Sequence, residues 1–226
     1  METDGSDPYT CSPVQIAALM IDPIKLEVIK DSEFNINLKP EKVELAKADE
    51  NPYTDSDILQ WHGKIRGVSG EQILEEWRTY PSQKKSWEQF ITYLDSFHSR
   101  GSKKSLFSAP IASGYNIFRF DLKIVERLGK KYGNTNKNGE LDIFYPRDTL
   151  DLMNLLFYWF ESSKDIKSLS MDNMRGYFGI NDLNAHDALK DVQDTSEILI
   201  RFLRLHRNLY KKIKFKDSFT LANGQI

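Results

Sequence analysis

From Val14 to Met20 the chain is mostly apolar and rich in β formers, and two shorter stretches of strand character follow, Leu26–Ile29 and Phe34–Leu38. The first run reads as a buried strand turned at Asp22-Pro23, and the two shorter stretches together as the next strand, broken at Asp31-Ser32. Lys39 to Asp57 is polar and carries Pro40 and Asn51-Pro52, which predicts a long surface loop. Beyond it the apolar spacing turns helical. Ile73, Leu74 and Trp77 mark a short helix over Glu71–Trp77. Phe90, Ile91 and Leu94 mark another over Trp87–Phe97, with Ser86 as its candidate cap. Leu106–Ser113 reads as a strand ending at Gly114. Asp121–Tyr132 reads as a helix with Leu122, Ile124, Val125 and Leu128 inward, followed by an Asn/Gly loop from Gly133 to Gly139. Leu150–Phe160 is so apolar that a helix there should be buried on most sides. A long amphipathic helix starts at Asn184 or His186 and carries Leu189, Val192, Leu199, Phe202 and Leu203. Strands alternating with helices pack as a sheet with helices on its faces, so the expected class is α/β.

The 226 residues are 40% hydrophobic, enough to bury a core. No apolar run reaches the roughly 20 residues of a membrane span, and no leader opens the chain. The single cysteine, Cys11, excludes an internal disulfide and suits a reducing compartment. A soluble cytoplasmic protein with no membrane partner is the expectation. The formal net charge of −2 gives no global attraction to nucleic acid, so any such surface must be local. Arg201, Arg204, Arg207, Lys211, Lys212, Lys214 and Lys216 form a basic run whose default reading is a solvated helix face, with phosphate contact as the alternative. Lys103, Lys104 and Arg119 are similar candidates. No domain boundary is visible, so residues 1–215 are expected to form one domain and 216–226 a loosely held tail.

Three acids, Glu2, Asp121 and Asp191, stand beside expected strand ends or helix starts, and His186 joins them. Carboxylates suit hard divalent cations such as Mg²⁺. Two such ions about 4 Å apart activate a water and stabilise a leaving phosphodiester oxygen. A histidine titrating near neutrality can take the proton from that water. With 33 Asp and Glu in the chain, acids near element ends are common, and composition alone cannot show that these converge.

The spacing of these residues resembles the three motifs of the DnaQ-like, or DEDDh, 3′–5′ exonucleases. Their first motif, Asp-x-Glu-Thr-x-Gly, is matched by Glu2-Thr3-Asp4-Gly5 without the leading Asp. The second is matched by Gly114-Tyr115-Asn116-Ile117-Phe118-Arg119-Phe120-Asp121, and the third by His186-Asp187-Ala188-Leu189-Lys190-Asp191. Within the family the resemblance runs to the nuclease domain of bacterial exonuclease I, which shares the Asn184-Ala185-His186-Asp187-Ala188 stretch and a segment like Arg147–Met153. The resemblance implies a ribonuclease H-like mixed sheet of five strands flanked by helices. It also implies a metal-dependent 3′–5′ exodeoxyribonuclease releasing nucleoside 5′-monophosphates from single-stranded DNA or DNA 3′ ends. RNA is the second candidate substrate; protein partners are not indicated. Glu2 would ligate one of two Mg²⁺ (or Mn²⁺) ions and orient the water. Asp121 would ligate the second ion, Asp191 the first, and His186 would be the general base. Thr3, Asn116, Phe120 and His62 are the substrate-binding candidates, with a purely structural turn as the other reading of His62. Apart from the resemblance, Phe118 or Trp61 is a candidate to stack on a base, with a place in the core as the other reading of most aromatics here.

The aspartate that the family places two positions before Glu2 would fall before Met1, together with most of the central first strand. The expectation is therefore a sheet truncated at its first strand, with the Met1 amino group beside the metal ligands, where a like charge disfavours cations. Activity of the chain as written is then in question. The alternative function is a catalytically impaired nucleic-acid-binding or accessory module on the same fold.

Overall fold

The computed structural model describes residues 1–98, 108–181 and 187–212. Its centre is β2 (Pro13–Ala18), the strand expected from the apolar run. β2 pairs antiparallel with β1 (Glu2–Thr3), Glu2 opposite Gln15, and on its other edge with β5 (Phe34–Asn37), Gln15 opposite Asn37. The stretch Leu26–Leu38 is not one strand with a break. β3 (Ile21–Asp22) and β4 (Glu27–Val28) form a separate hairpin, and β5 alone joins β2. The divide falls at Ser32, buried with its hydroxyl accepting from Met20 N–H at 3.1 Å, beside Asp31 at φ 57°.

A parallel pair, β6 (Ala112–Gly114) and β7 (Thr149–Asp151), forms a third sheet, joined by a crossover through α5 (Asp121–Tyr132). The α/β class read from the sequence holds. Among the described residues no strand bridges β2 and β6. Between them lies an apolar cavity of about 390 Å³, walled by Ile16, Met20, Ile111, Val125 and Leu199 and reaching Met1, Asp121 and Asp191. β1 spans only two residues.

The helices form largely where side chains satisfy their first amide groups. α3 (Gly70–Thr79) opens on a capping box of Ser69 and Gln72. α4 (Gln83–Ser96) is capped by Ser82, a turn earlier than expected. Ser86 sits inside it and donates to Asn37 O at 2.8 Å, tying α4 to β5. α7 (Met171–Phe178) is capped by Ser170 and closed by Gly179 at φ 67°. α5 runs as expected and ends on Gly133 at φ 84°, a conformation that costs glycine little.

Two regions depart from expectation. The stretch from Lys39 to Asp57 contains α1 (Glu41–Leu45), and it buries Val43 and Tyr53 against Ile73 and Trp77. The helix following Thr149–Asp151, α6 (Leu152–Trp159), buries only Leu152 and Leu156, while Phe157, Tyr158 and Trp159 are 58%, 75% and 48% exposed. Apolar composition overstated its burial. At 3.6 residues per turn a single stripe faces Met174, Ile198 and Leu199. Those last two belong to α8 (Ala188–Lys212), which lies along β2. Its Arg204 donates to Leu26 O at 2.8 Å and its Arg207 to Ile24 O at 2.8 Å, so both clasp the β3–β4 hairpin.

Candidate carboxylate site

Glu2 reaches the site because β1 sits at the edge of β2, and β1 is fixed there by three polar contacts. Asp4 is 4% exposed and accepts from Ser12 N–H at 2.5 Å and the Tyr53 hydroxyl at 2.7 Å. His62 Nε2 donates to Thr3 O at 2.9 Å. Thr3 itself donates its hydroxyl to Gly5 O at 2.7 Å, closing the turn. Asp121 is the first residue of α5. It accepts from the Met1 amino group at 2.9 Å, so that group does lie among the expected ligands. Asp191 lies in the first turn of α8 and accepts from Arg175 of α7. Asp187 caps α8, its Oδ1 accepting from Leu189 and Lys190 N–H at 3.1 and 3.2 Å, and its Oδ2 accepts from Gln15 of β2 at 3.2 Å.

These carboxyls are close enough to act on one another. Burial pushes the Glu2 carboxyl up to about 7; the terminal amino group opposes this, and Asp191, Asp187 and Asp121 add to it. Glu2 and Asp187 line an open polar cleft of about 730 Å³ with Gln15, His62, Arg66 and Lys190. That volume is within the range of small-ligand sites. The cleft's cations are paired, Arg66 with Glu76 at 2.7 Å and Lys190 with Asp194. Asp121 and Asp191 border the apolar cavity instead, together with Met1.

The oxygen donors match the preference of Mg²⁺ or Mn²⁺ in chemistry. Among the described residues, however, no group of three or more His, Cys, Asp or Glu is disposed to hold a metal ion. His186 lies outside the described residues, as do Asn184, Lys103, Lys104, Lys214 and Lys216.

The substrate candidates divide. Asn116 holds φ 55°, and its N–H donates to Asp151 at 3.0 Å; Asp151 also accepts from Phe118 and Met153 N–H at 3.2 and 3.0 Å. This buried carboxylate therefore shapes the turn that leads to Asp121. Phe120 occupies the N-cap position of α5 and packs on the core rather than standing free. His62 is not in a turn. It is buried within α2 (Ile58–Arg66), edge-on to Trp61 and Trp77 at 4.9 and 5.1 Å, and burial lowers its pKa. Sequence reasoning missed Asp151, Asp4 and Arg175 as framework groups. Arg175 offered one faint signal, Asp172 three residues before it on the same helix face.

No protein-family model matches the chain, and no curated protein matches it in sequence. Solved structures do match in fold. Exonuclease I of E. coli, solved with a dT13 oligonucleotide, superposes with a TM-score of 0.60 at 21% identity, over 92% of this chain and 42% of that one. Cell-death related nuclease 4 (CRN-4) gives 0.58 at 16% identity, over 90% and 62% of the two chains. Exonuclease I of Methylocaldum szegediense gives 0.56 at 21% identity, over 88% and 38%. The chain thus spans well under half of the exonuclease I chains. It has the ribonuclease H-like fold of these DnaQ-like exonucleases, as its motifs imply.

Proposed function

We propose that the chain is the nuclease domain of a metal-dependent 3′–5′ exonuclease acting on single-stranded DNA and releasing nucleoside 5′-monophosphates. The observation that carries this reading is that Glu2, Asp121, Asp187 and Asp191 lie near enough to act on one another around the Met1 end of β1, where burial, with those three neighbours adding to it, pushes the Glu2 carboxyl up to about 7. Carboxyls crowded in this way are repelled by one another unless a cation joins them. Glu2, Asp121 and Asp191 would hold divalent ions, with Mg²⁺ or Mn²⁺ as the candidates. Bound there, such ions would lower the pKa of a water and stabilise charge on the leaving oxygen. The protein's own work is to present these acids from β1, α5 and α8. Asp4, Asp151 and the Thr3–His62 contact fix the elements that carry them. The polar cleft beside Glu2 is the candidate seat of the 3′-terminal nucleotide, and His186 is the candidate base. The fold shared with an exonuclease solved with a DNA oligonucleotide favours DNA over RNA as the substrate to test first.

Digestion of 3′-labelled single-stranded DNA with Mg²⁺ or Mn²⁺ tests the proposal. Mononucleotide release by the wild type and its loss in Asp191→Ala are expected. Equal inactivity of both proteins under either metal would sink it. A second reading, a nucleic-acid-binding or accessory module on this fold, is favoured by the absence of a ready metal cluster among the described residues. DNA binding by both proteins with no hydrolysis by either would support it.

A further inference from the structure

We propose that Arg175 is a positioning residue that fixes the Asp191 carboxylate at the acidic site, so that α7 sets the divalent-cation affinity of a centre built on β1, α5 and α8. The inference rests on the nuclease reading above.

Arg175 lies outside all three motif segments and is 2% exposed, a rare burial for a guanidinium. Its Nε donates to Asp194 Oδ2 at 2.8 Å, its Nη1 to Asp172 Oδ1 at 2.9 Å, and its Nη2 to Asp191 Oδ1. Asp194 is itself buried, and its other oxygen accepts from Lys190. Asp191 and Asp194 stand three residues apart on α8 and so share a face. One planar fork can therefore bridge them where a compact ammonium cannot. Turning Arg175 away from Asp194 would leave its own buried guanidinium short of a partner, which is costly even though Lys190 stays on Asp194, so the fork is fixed. Asp191 is held through it.

Two effects oppose each other at Asp191. The guanidinium charge repels an arriving cation, while a fixed carboxylate loses less freedom on ligating one. The repulsion is largely compensated, because Arg175 and Lys190 face three carboxylates, Asp172, Asp191 and Asp194, and the network stays net anionic. An arginine on one carboxylate oxygen also does not exhaust the group, which can accept about four hydrogen bonds. Orientation therefore dominates, as it does for hydrogen-bond partners of metal-ligating groups, whose loss lowers affinity about 10- to 100-fold.

The test is calorimetric titration of MnCl₂ into the wild type, Arg175→Lys and Asp172→Asn, each checked for folding by circular dichroism. Arg175→Lys keeps the charge but not the fork, and its Kd for Mn²⁺ should rise about 10- to 100-fold. Asp172→Asn removes one charge of the network but leaves the fork on Asp191 and Asp194, so its Kd should rise by less than about 10-fold, and a rise equal to that of Arg175→Lys overturns the proposal. If Arg175→Lys does not fold, the double variant Arg175→Gln/Asp194→Asn, which removes both buried charges, replaces it with the same expected weakening. A folded Arg175 variant that binds Mn²⁺ as tightly as the wild type, or more tightly, overturns the proposal and leaves the nuclease reading standing. A wild type that binds no Mn²⁺ overturns both.

Discussion

Removing the Tyr53 hydroxyl measures how firmly Asp4 anchors the strand that carries Glu2. Asp4 and Tyr53 are both buried, and their contact is 2.7 Å long. Tyr53→Phe keeps the ring against Trp77, with centroids 5.6 Å apart, so packing is retained and the hydrogen bond alone is lost. A hydrogen bond to an ionised group contributes about 1.5–3 kcal/mol. The expected destabilisation is therefore about 2 kcal/mol. With a urea slope of about 3 kcal/mol per molar for a chain of this length, the midpoint should fall by about 0.7 M. The pH dependence has a definite sign. Burial raises the Asp4 carboxyl above its ordinary value, while the Ser12 amide and the Tyr53 hydroxyl pull it down. Without the hydroxyl the folded value rises further. A carboxyl raised in the fold contributes stability below its unfolded pKa and loses it as pH rises through the folded value. The variant, with the larger upward shift, loses more on the way to neutrality. The gap between the two proteins should be widest near about pH 7 and narrow below about pH 4. Urea titrations followed by tryptophan fluorescence at both pH values measure it. A midpoint shift under about 0.2 M at neutrality, or a gap that widens in acid, would refute the role assigned to Asp4.

Three further outcomes are expected. Burial lowers the His62 pKa, so the unfolded chain takes up that proton first. Wild-type stability should fall, relative to His62→Gln, as pH drops below about 6.5, and urea midpoints from about pH 8 to 5 would record it. Asp151→Ala strips the acceptor from the Asn116, Phe118 and Met153 N–H groups and should cost about 3 kcal/mol, with faster hydrogen exchange at those three amides. On α6, Leu156→Ala should cost about 2–5 kcal/mol, whereas Tyr158→Ala, on the exposed side, should stay within about 0.5 kcal/mol. Thermal melts of the pair would separate a one-sided helix from a fully buried one.

The strands and helices that could be read from the sequence are those whose side-chain period matches their burial. β2 carries a mostly apolar run, interrupted by Gln15, because it is the middle strand of its sheet and α8 lies along it. α5 and α8 carry a clear 3.6 period because one face of each is solvated. α6 misled because Phe157, Tyr158 and Trp159 are apolar yet exposed, and composition does not say which side of a helix finds a partner. α1 and α2 were missed because proline and acidic residues surround them. Their burial comes from Tyr53, His62 and Trp77 meeting across distant segments. At the candidate site, Glu2, Asp121 and Asp191 stood out through the order and spacing of the motifs they resemble. The groups that orient those acids were not. The contacts of Arg175 with Asp191, Asp151 with Phe118 and Asp4 with Tyr53 span 16, 33 and 49 residues, and no local pattern encodes such pairs.

Arg204 and Arg207 of α8 bear on how this surface would meet a polyanion. The guanidinium donors that reach the carbonyls of Leu26, Ile24 and Pro23 are not available to a phosphate, although both arginines keep their charge. Attraction of a polyanion to this part of the helix would therefore act through charge at a distance, which salt screens over about 10 Å, rather than through those donors. The same two arginines keep the β3–β4 hairpin in place.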